Sequence, residues 1–189
     1  MKYYKDTNNQ IYAFEDNVMQ DIINNVAKKH NTEFTQITKI QFKSFKLFGV
    51  FDKTEEEIRQ KEEKNKINQA KLNKISEINK IAQEKIVSGF ISNALGSNHL
   101  YQSEPTDQIN LLGIVQTAQL TNENQLFKCS EDNGQTWEYK EHTPEQITQV
   151  LKDGKDIKTA ILEKANQLKQ QVKQATTIDE VNSITLEGE

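Results

Sequence analysis

Residues 54–87 read TEEEIRQKEEKNKINQAKLNKISEINKIAQEKIV. No Gly or Pro interrupts this run, and its reading decides the fold. Thr54 precedes Glu55, Glu56 and Glu57, which places acids in a first turn where the helix dipole favours them. Thr54-x-x-Glu57 matches a capping box. Glu55 with Arg59, Glu57 with Lys61 and Glu62 with Lys66 stand at the favourable i,i+4 spacing. The spacing therefore predicts one long helix over 54–87. Its apolar stripe is narrow: Ile58 and Ile67 in the first half, then Ala70, Leu72, Ile75, Ile78, Ile81, Ala82 and Ile86. Only the part from Ala70 onward carries enough apolar surface to pack, so the first half reads as a polar stalk. The heptads are too imperfect to specify a coiled coil.

On the N-terminal side, Tyr3-Tyr4 and Ile11-Tyr12-Ala13-Phe14 flank Asp6-Thr7-Asn8-Asn9, which is turn chemistry and predicts a hairpin over 2–14. Val18, Ile22 and Val26, with Ile23 as a further apolar position, predict a helix over 17–30 capped by Asp16 or Asn17. Residues 34–51 hold five of the eight Phe together with Ile37, Ile40 and Val50, and are expected to form one or two strands with an aromatic face.

On the C-terminal side, Ser88-Gly89 stops the long helix. Phe90-Ile91 and Leu100-Tyr101 predict a second hairpin with Gly96 in its turn. Thr106 is the expected cap of an apolar helix carrying Ile109, Leu111, Leu112, Ile114, Val115 and Ala118, a core element. Leu126 to Cys129 and Thr136 to Tyr139 flank Asn133-Gly134, a strong signal for a third hairpin. Thr143-Pro144-x-Gln146 opens a helix reaching Val172, with Gly154 expected to bend or break it. Thr177-x-x-Glu180 opens a last short helix, and Leu186 to Glu189 are expected to fray. The class is α+β: a small N-terminal hairpin and sheet unit (1–53), a long helical connector (54–87) and a C-terminal domain of short hairpins and helices (88–189).

Composition narrows the function. Hydrophobic residues make up 34% of the 189 residues, and Asn and Gln supply 37 side-chain amides. Arg59 is the only Arg, so no guanidinium-rich phosphate clamp can be built. The net charge is −4, and residues 89–189 hold 8 Lys against 15 acids, which disfavours a nucleic-acid partner. Cys129 is the only cysteine, so neither an internal disulfide nor a Cys-based zinc site is available. The opening Met-Lys-Tyr-Tyr-Lys-Asp lacks an apolar signal core, and no run spans a bilayer, so a cytoplasmic protein without a membrane partner is expected.

Ser130-x-Asp132-x-Gly134-x-Thr136-Trp137 resembles the Asp-box hairpin of sialidases, a structural turn in those families. One copy and one Arg leave the glycosidase reading unsupported. His30, His99 and His142 are scattered without metal-like spacing and read as surface or hairpin residues. Ser103, His99 and Asp107 lack a nucleophile elbow, and Cys129 reads as a small buried residue. No catalytic residue, cofactor or metal site is expected.

The order of elements carries a second resemblance. A Tyr-rich opening hairpin is followed by a polar helix, then Gly89-Phe90, Ala94-Leu95-Gly96, Tyr101-Gln102-Ser103 and Asp107-Gln108-x-Asn110-Leu111. A Trp hairpin, His142-Thr143-Pro144-x-Gln146 and Thr177-Ile178-Asp179-Glu180-Val181 complete it. Residues 85–185 resemble a domain of unknown function from bacteriophage and prophage tail proteins, and the opening is similar to the start of phage tail fibre assembly proteins. The resemblance implies a non-enzymatic chaperone binding the distal part of a tail fibre protein in the bacterial cytoplasm. The alternative is a structural fibre, tip or adaptor protein of the virion; a glycan-acting enzyme ranks third. Trp137, Tyr139, Phe90 and Tyr101 lie on hairpins and are the candidate partner anchors, with hairpin core packing as their competing role. A homo-oligomer is left open.

Overall fold

The computed structural model describes residues 1–186. The chain is α+β and divides into two compact units, Met1–Asn68 and Gln69–Glu189. The boundary falls inside the long helix, where the sequence reading had set a separate connector over 54–87.

In the first unit, β1 (Lys2–Lys5) is the central strand of an antiparallel sheet between β2 (Ile11–Phe14) and β3 (Thr35–Ile37). The β1–β2 turn forms as its residues dictate: the Asp6 carboxylate accepts from the backbone N–H groups of Asn8 and Gln10 at 2.8 Å each, and Asn9 takes positive φ. Strand alternation sends neighbouring tyrosines to opposite faces. Tyr4 is buried beside Phe14 and Phe34, and its hydroxyl donates to Gln20 of α1 (Gln20–Lys29). Tyr3 stacks on Phe42 of α2 (Lys39–Phe48) at 4.2 Å.

Three expectations fail in this unit. Of the one or two strands expected over 34–51 only β3 forms, and residues 39–48 are helical, because Thr38 and Gln41 form a reciprocal capping box and Gly49 closes the end in the left-handed region. Phe42, Phe45 and Phe48 recur at a spacing of three along that helix. The first helix begins after Met19, so neither Asp16 nor Asn17 caps it; it buries Ile23, one of the residues read from the spacing, and Ala27, while Ile22 is exposed. The early part of α3 (Glu55–Val87) is no bare stalk: Ile58 is buried, and Glu62 pairs with Lys43 of α2 at 2.8 Å.

The Thr54–Glu57 capping box is present, and those bonds with the Lys53 ammonium hold the Glu57 carboxyl down to about 2. None of the three i,i+4 pairs read from the sequence is among the ion pairs of the described residues. Better-placed partners take the acids: Lys53 pairs with Glu57, Lys43 with Glu62, and Arg59 with Glu56 at i,i+3.

The second unit holds the rest of α3, the hairpin β4 (Phe90–Ser92) and β5 (His99–Tyr101), α4 (Pro105–Thr121), the hairpin β6 (Gln125–Cys129) and β7 (Glu138–His142), α5 (Pro144–Gln174) and α6 (Ile178–Ser183). It has two apolar clusters. One gathers Phe90, Tyr101, Leu111, Val115, Phe127, Ile147 and Val150 from both hairpins, α4 and the start of α5. The other joins Ile78 and Ala82 of α3 to Leu168 and Val172 of α5, Val181 and Leu186. Lys71 donates to the Lys173 carbonyl and Lys169 to Asn79, so α3 and α5 run antiparallel. Most of the α3 stripe from Ala70 onward packs in this cluster, while Leu72 stays exposed.

Here too the sequence reading needs correction. Glu104, and not Thr106, caps α4, with Pro105 at the first helical position. Leu186 is buried against α3 and not frayed; residues 187–189 lie outside the described part. Gly154 does not break α5, which is continuous from Pro144 to Gln174. Its role is steric. A Cβ there would stand 2.7 Å from Cζ of Phe90, so the glycine is a notch that admits the ring.

Candidate interaction site

Two hairpins and α4 set out the chemistry of the second unit. The turn between β6 and β7 closes as an Asp-box. The Ser130 hydroxyl donates to Asp132 at 2.7 Å and accepts from Gly134 N at 2.8 Å. Asp132 accepts from the Thr136 backbone N–H at 2.8 Å and from its hydroxyl at 2.7 Å. Hydrogen bonds from Ser130 and then Thr136 hold the Asp132 carboxyl down to about 2. All these bonds are internal to the turn, so the motif acts as a structural brace.

The two hairpins are joined by reciprocal backbone bonds between Leu100 and Ser130, at 2.8 and 2.9 Å. Over that seam, Glu131 engages His99 Nε2 at 3.0 Å and also the Lys140 ammonium. The Lys140 ammonium first, then His99, keep the Glu131 carboxyl below the usual carboxylate range. His142 is fully buried, with Nδ1 2.9 Å from the Lys140 carbonyl and Nε2 2.9 Å from the Tyr101 hydroxyl. A carbonyl only accepts, so Nδ1 carries the proton and Nε2 accepts from Tyr101. Burial pushes the His142 pKa down, which keeps the ring neutral. His99 and His142 are hairpin residues, as the sequence reading allowed, and they are buried and not on the surface.

Cys129 is buried, and burial pushes its thiol up, the opposite of a nucleophilic thiolate. Ser103, His99 and Asp107 do not converge: Asp107 accepts from Glu104 N at the start of α4, while His99 turns to Ser97 and Glu131. Among the described residues, no group of three His, Cys, Asp or Glu could hold a metal ion.

The four candidate anchors separate. Phe90 and Tyr101 stack on each other at 5.6 Å inside the core, which removes them as surface anchors. Trp137 is half-buried beside Lys128, and Tyr139 is 70% exposed.

The two most exposed aliphatic side chains of the second unit, Leu120 and Ile109, lie instead on α4. This helix carries apolar side chains on two sides, and α5 and β6 cover one of them. Leu111, Val115 and Ala118 face the core. Ile109, Leu112 and Leu120 point away, with exposures of 70, 48 and 87%. At 100° per residue these three lie within one stripe, opposite the buried one. Leu126 of β6 is also exposed. A groove of about 570 Å³ flanks this ridge on the α5 side, with Phe90, Leu112 and Leu151 in its wall and Lys155 and Lys158 at its edge. A second hollow of about 650 Å³ lies on the hairpin side, lined by Asp107, Ile109, Phe127, Lys128 and Tyr139.

The sequence reading missed Ile109 and Leu112 as surface residues because it assigned the whole helix to the core. The available signal was that Ile109, Leu112 and Leu120 fall on the other side of the helix from Leu111, Val115 and Ala118, a wider apolar spread than one buried stripe needs.

No helix of the described residues is long and apolar enough to cross a membrane. Comparison with curated proteins and with solved structures gives no match. Residues 69–185, beginning where the second unit begins, match the Domain of unknown function (DUF4376), and the chain belongs to that family.

Proposed function

We propose that the chain is a non-enzymatic assembly protein whose second unit binds a partner protein through the α4 ridge. The single observation that carries this reading is the exposure of Ile109, Leu112 and Leu120 in one stripe. In a chain with 34% hydrophobic residues, three large aliphatic side chains held at helical spacing in water form a surface that binding would bury. The polar groups of the hairpins support the same reading, since their hydrogen bonds brace the turn and the seam. The resemblance of the opening hairpin and of residues 85–185 to phage tail proteins supports a tail fibre protein as the partner, with assembly in the bacterial cytoplasm.

Co-expression tests this. The yield of soluble, trimeric fibre is expected to depend on this chain and to fall when Leu112→Asp and Leu120→Asp are combined. Equal yield without the chain sinks the proposal. Stoichiometric presence in purified particles, read by mass spectrometry, would assign a structural role in the virion instead.

A further inference from the structure

Taking the second unit as a protein-binding module, we propose that the groove between α4 and α5 accepts an acidic amphipathic helix of the partner. Its charge is the first observation. Residues 89–189 carry 15 acids against 8 Lys, yet the groove is edged by Lys155 and Lys158 and has no carboxylate among its lining residues. Neither lysine forms an ion pair among the described residues; Lys158 donates to the neutral Gln108 amide at 2.9 Å. Two cations without counter-ions, set beside an apolar wall in an acidic domain, complement carboxylates next to apolar side chains.

Length is the second observation. The exposed stripe runs from Ile109 to Leu120, about 16 Å at 1.5 Å per residue, or about three helical turns. A small amphipathic carboxylate would fill the groove and leave most of that stripe in water. A helix of three to four turns covers both. Apolar side chains at i, i+3 or i+4, and i+7 would lie along Ile109 and Leu112, with flanking Asp or Glu at Lys155 and Lys158.

The probe is a fluorescein-labelled 18-residue designed helix with Leu at that spacing and Glu flanking, compared with a twin in which every Glu is Lys. Anisotropy is measured on the full chain at 0.1 M salt, where screening over about 10 Å leaves local charges dominant. The acidic helix is expected to bind about tenfold tighter than its twin. That order opposes the one the net charge of −4 would impose. Lys155→Glu with Lys158→Glu should reverse it, and Leu112→Asp should abolish binding of both peptides with the circular dichroism unchanged. Equal affinities that Leu112→Asp still abolishes would overturn the acidic helix while leaving the protein-binding reading intact. Three results overturn the proposal outright: no binding of the acidic helix, displacement by dodecanoate in place of peptide binding, or self-association of the free chain that Leu112→Asp removes.

Discussion

Replacing Gly154 with Ala sets two known effects against each other. Ala is favoured over Gly in a helix interior by about 1 kcal/mol. Against this, the new Cβ would stand 2.7, 2.8 and 3.1 Å from Cζ, Cε1 and Cε2 of Phe90. Carbon contacts are comfortable at about 3.5–4.0 Å, so the ring has to retreat by nearly 1 Å. Retreat is resisted, because Phe90 is buried and stacked on the fully buried Tyr101. Overpacking of this kind costs about 1–3 kcal/mol. The net expectation is a loss of about 0–2 kcal/mol.

The sharper test is the double mutant. Phe90→Leu deletes all three clashing atoms, so in that background Gly154→Ala should stabilise by about 1 kcal/mol. The sign reverses, with a coupling of about 1–3 kcal/mol. Trp137, the only Trp, lies in the second unit, so urea unfolding followed by its fluorescence reads that unit. If Gly154→Ala stabilises by about 1 kcal/mol with Phe90 present, and the two substitutions are additive, the notch explanation is wrong.

Three further outcomes follow from the buried groups. His142 has its pKa pushed below its ordinary 6.5 by burial, so the unfolded chain binds the proton more readily. Stability from this group is present above about pH 6.5 and lost as pH falls below it, and the urea midpoint should drop between pH 7.5 and 5.5 with a shallower slope in His142→Gln. An identical slope in the variant would contradict this. The buried Cys129 thiol should react with a disulfide reagent only as the second unit opens, following the Trp137 transition; fast reaction in native buffer would contradict its placement. Asp132→Ala removes the acceptor for Thr136 N, so exchange of the Thr136 amide should accelerate while amides of α5 keep their protection. Unchanged Thr136 exchange would show that the turn holds without the carboxylate.

Local chemistry determined much of this chain in advance. Capping boxes at Thr54, Thr143 and Thr177 start helices where their residues say, because side-chain oxygens satisfy backbone N–H groups within one turn. Asn133-Gly134 takes positive φ at both positions and closes the third hairpin. Residues 39–48 were legible too, through Thr38-x-x-Gln41 and the spacing of the Phe residues, but aromatic content suggested strand first.

What the sequence left open was direction and partner. The i,i+4 pairs of α3 were outbid by Lys43, Lys53 and Glu56, and Glu62 found its cation on another helix. Gly154 resembled a helix breaker until Phe90, 64 positions earlier in the chain, was seen to fill its notch. Ile109 and Leu112 had the same apolar character as Leu111 and Val115. The sequence by itself placed all of them on one helix; tertiary packing alone decided which side of it met the core and which was left for a partner, because burial depends on what lies opposite and periodicity does not say what that is.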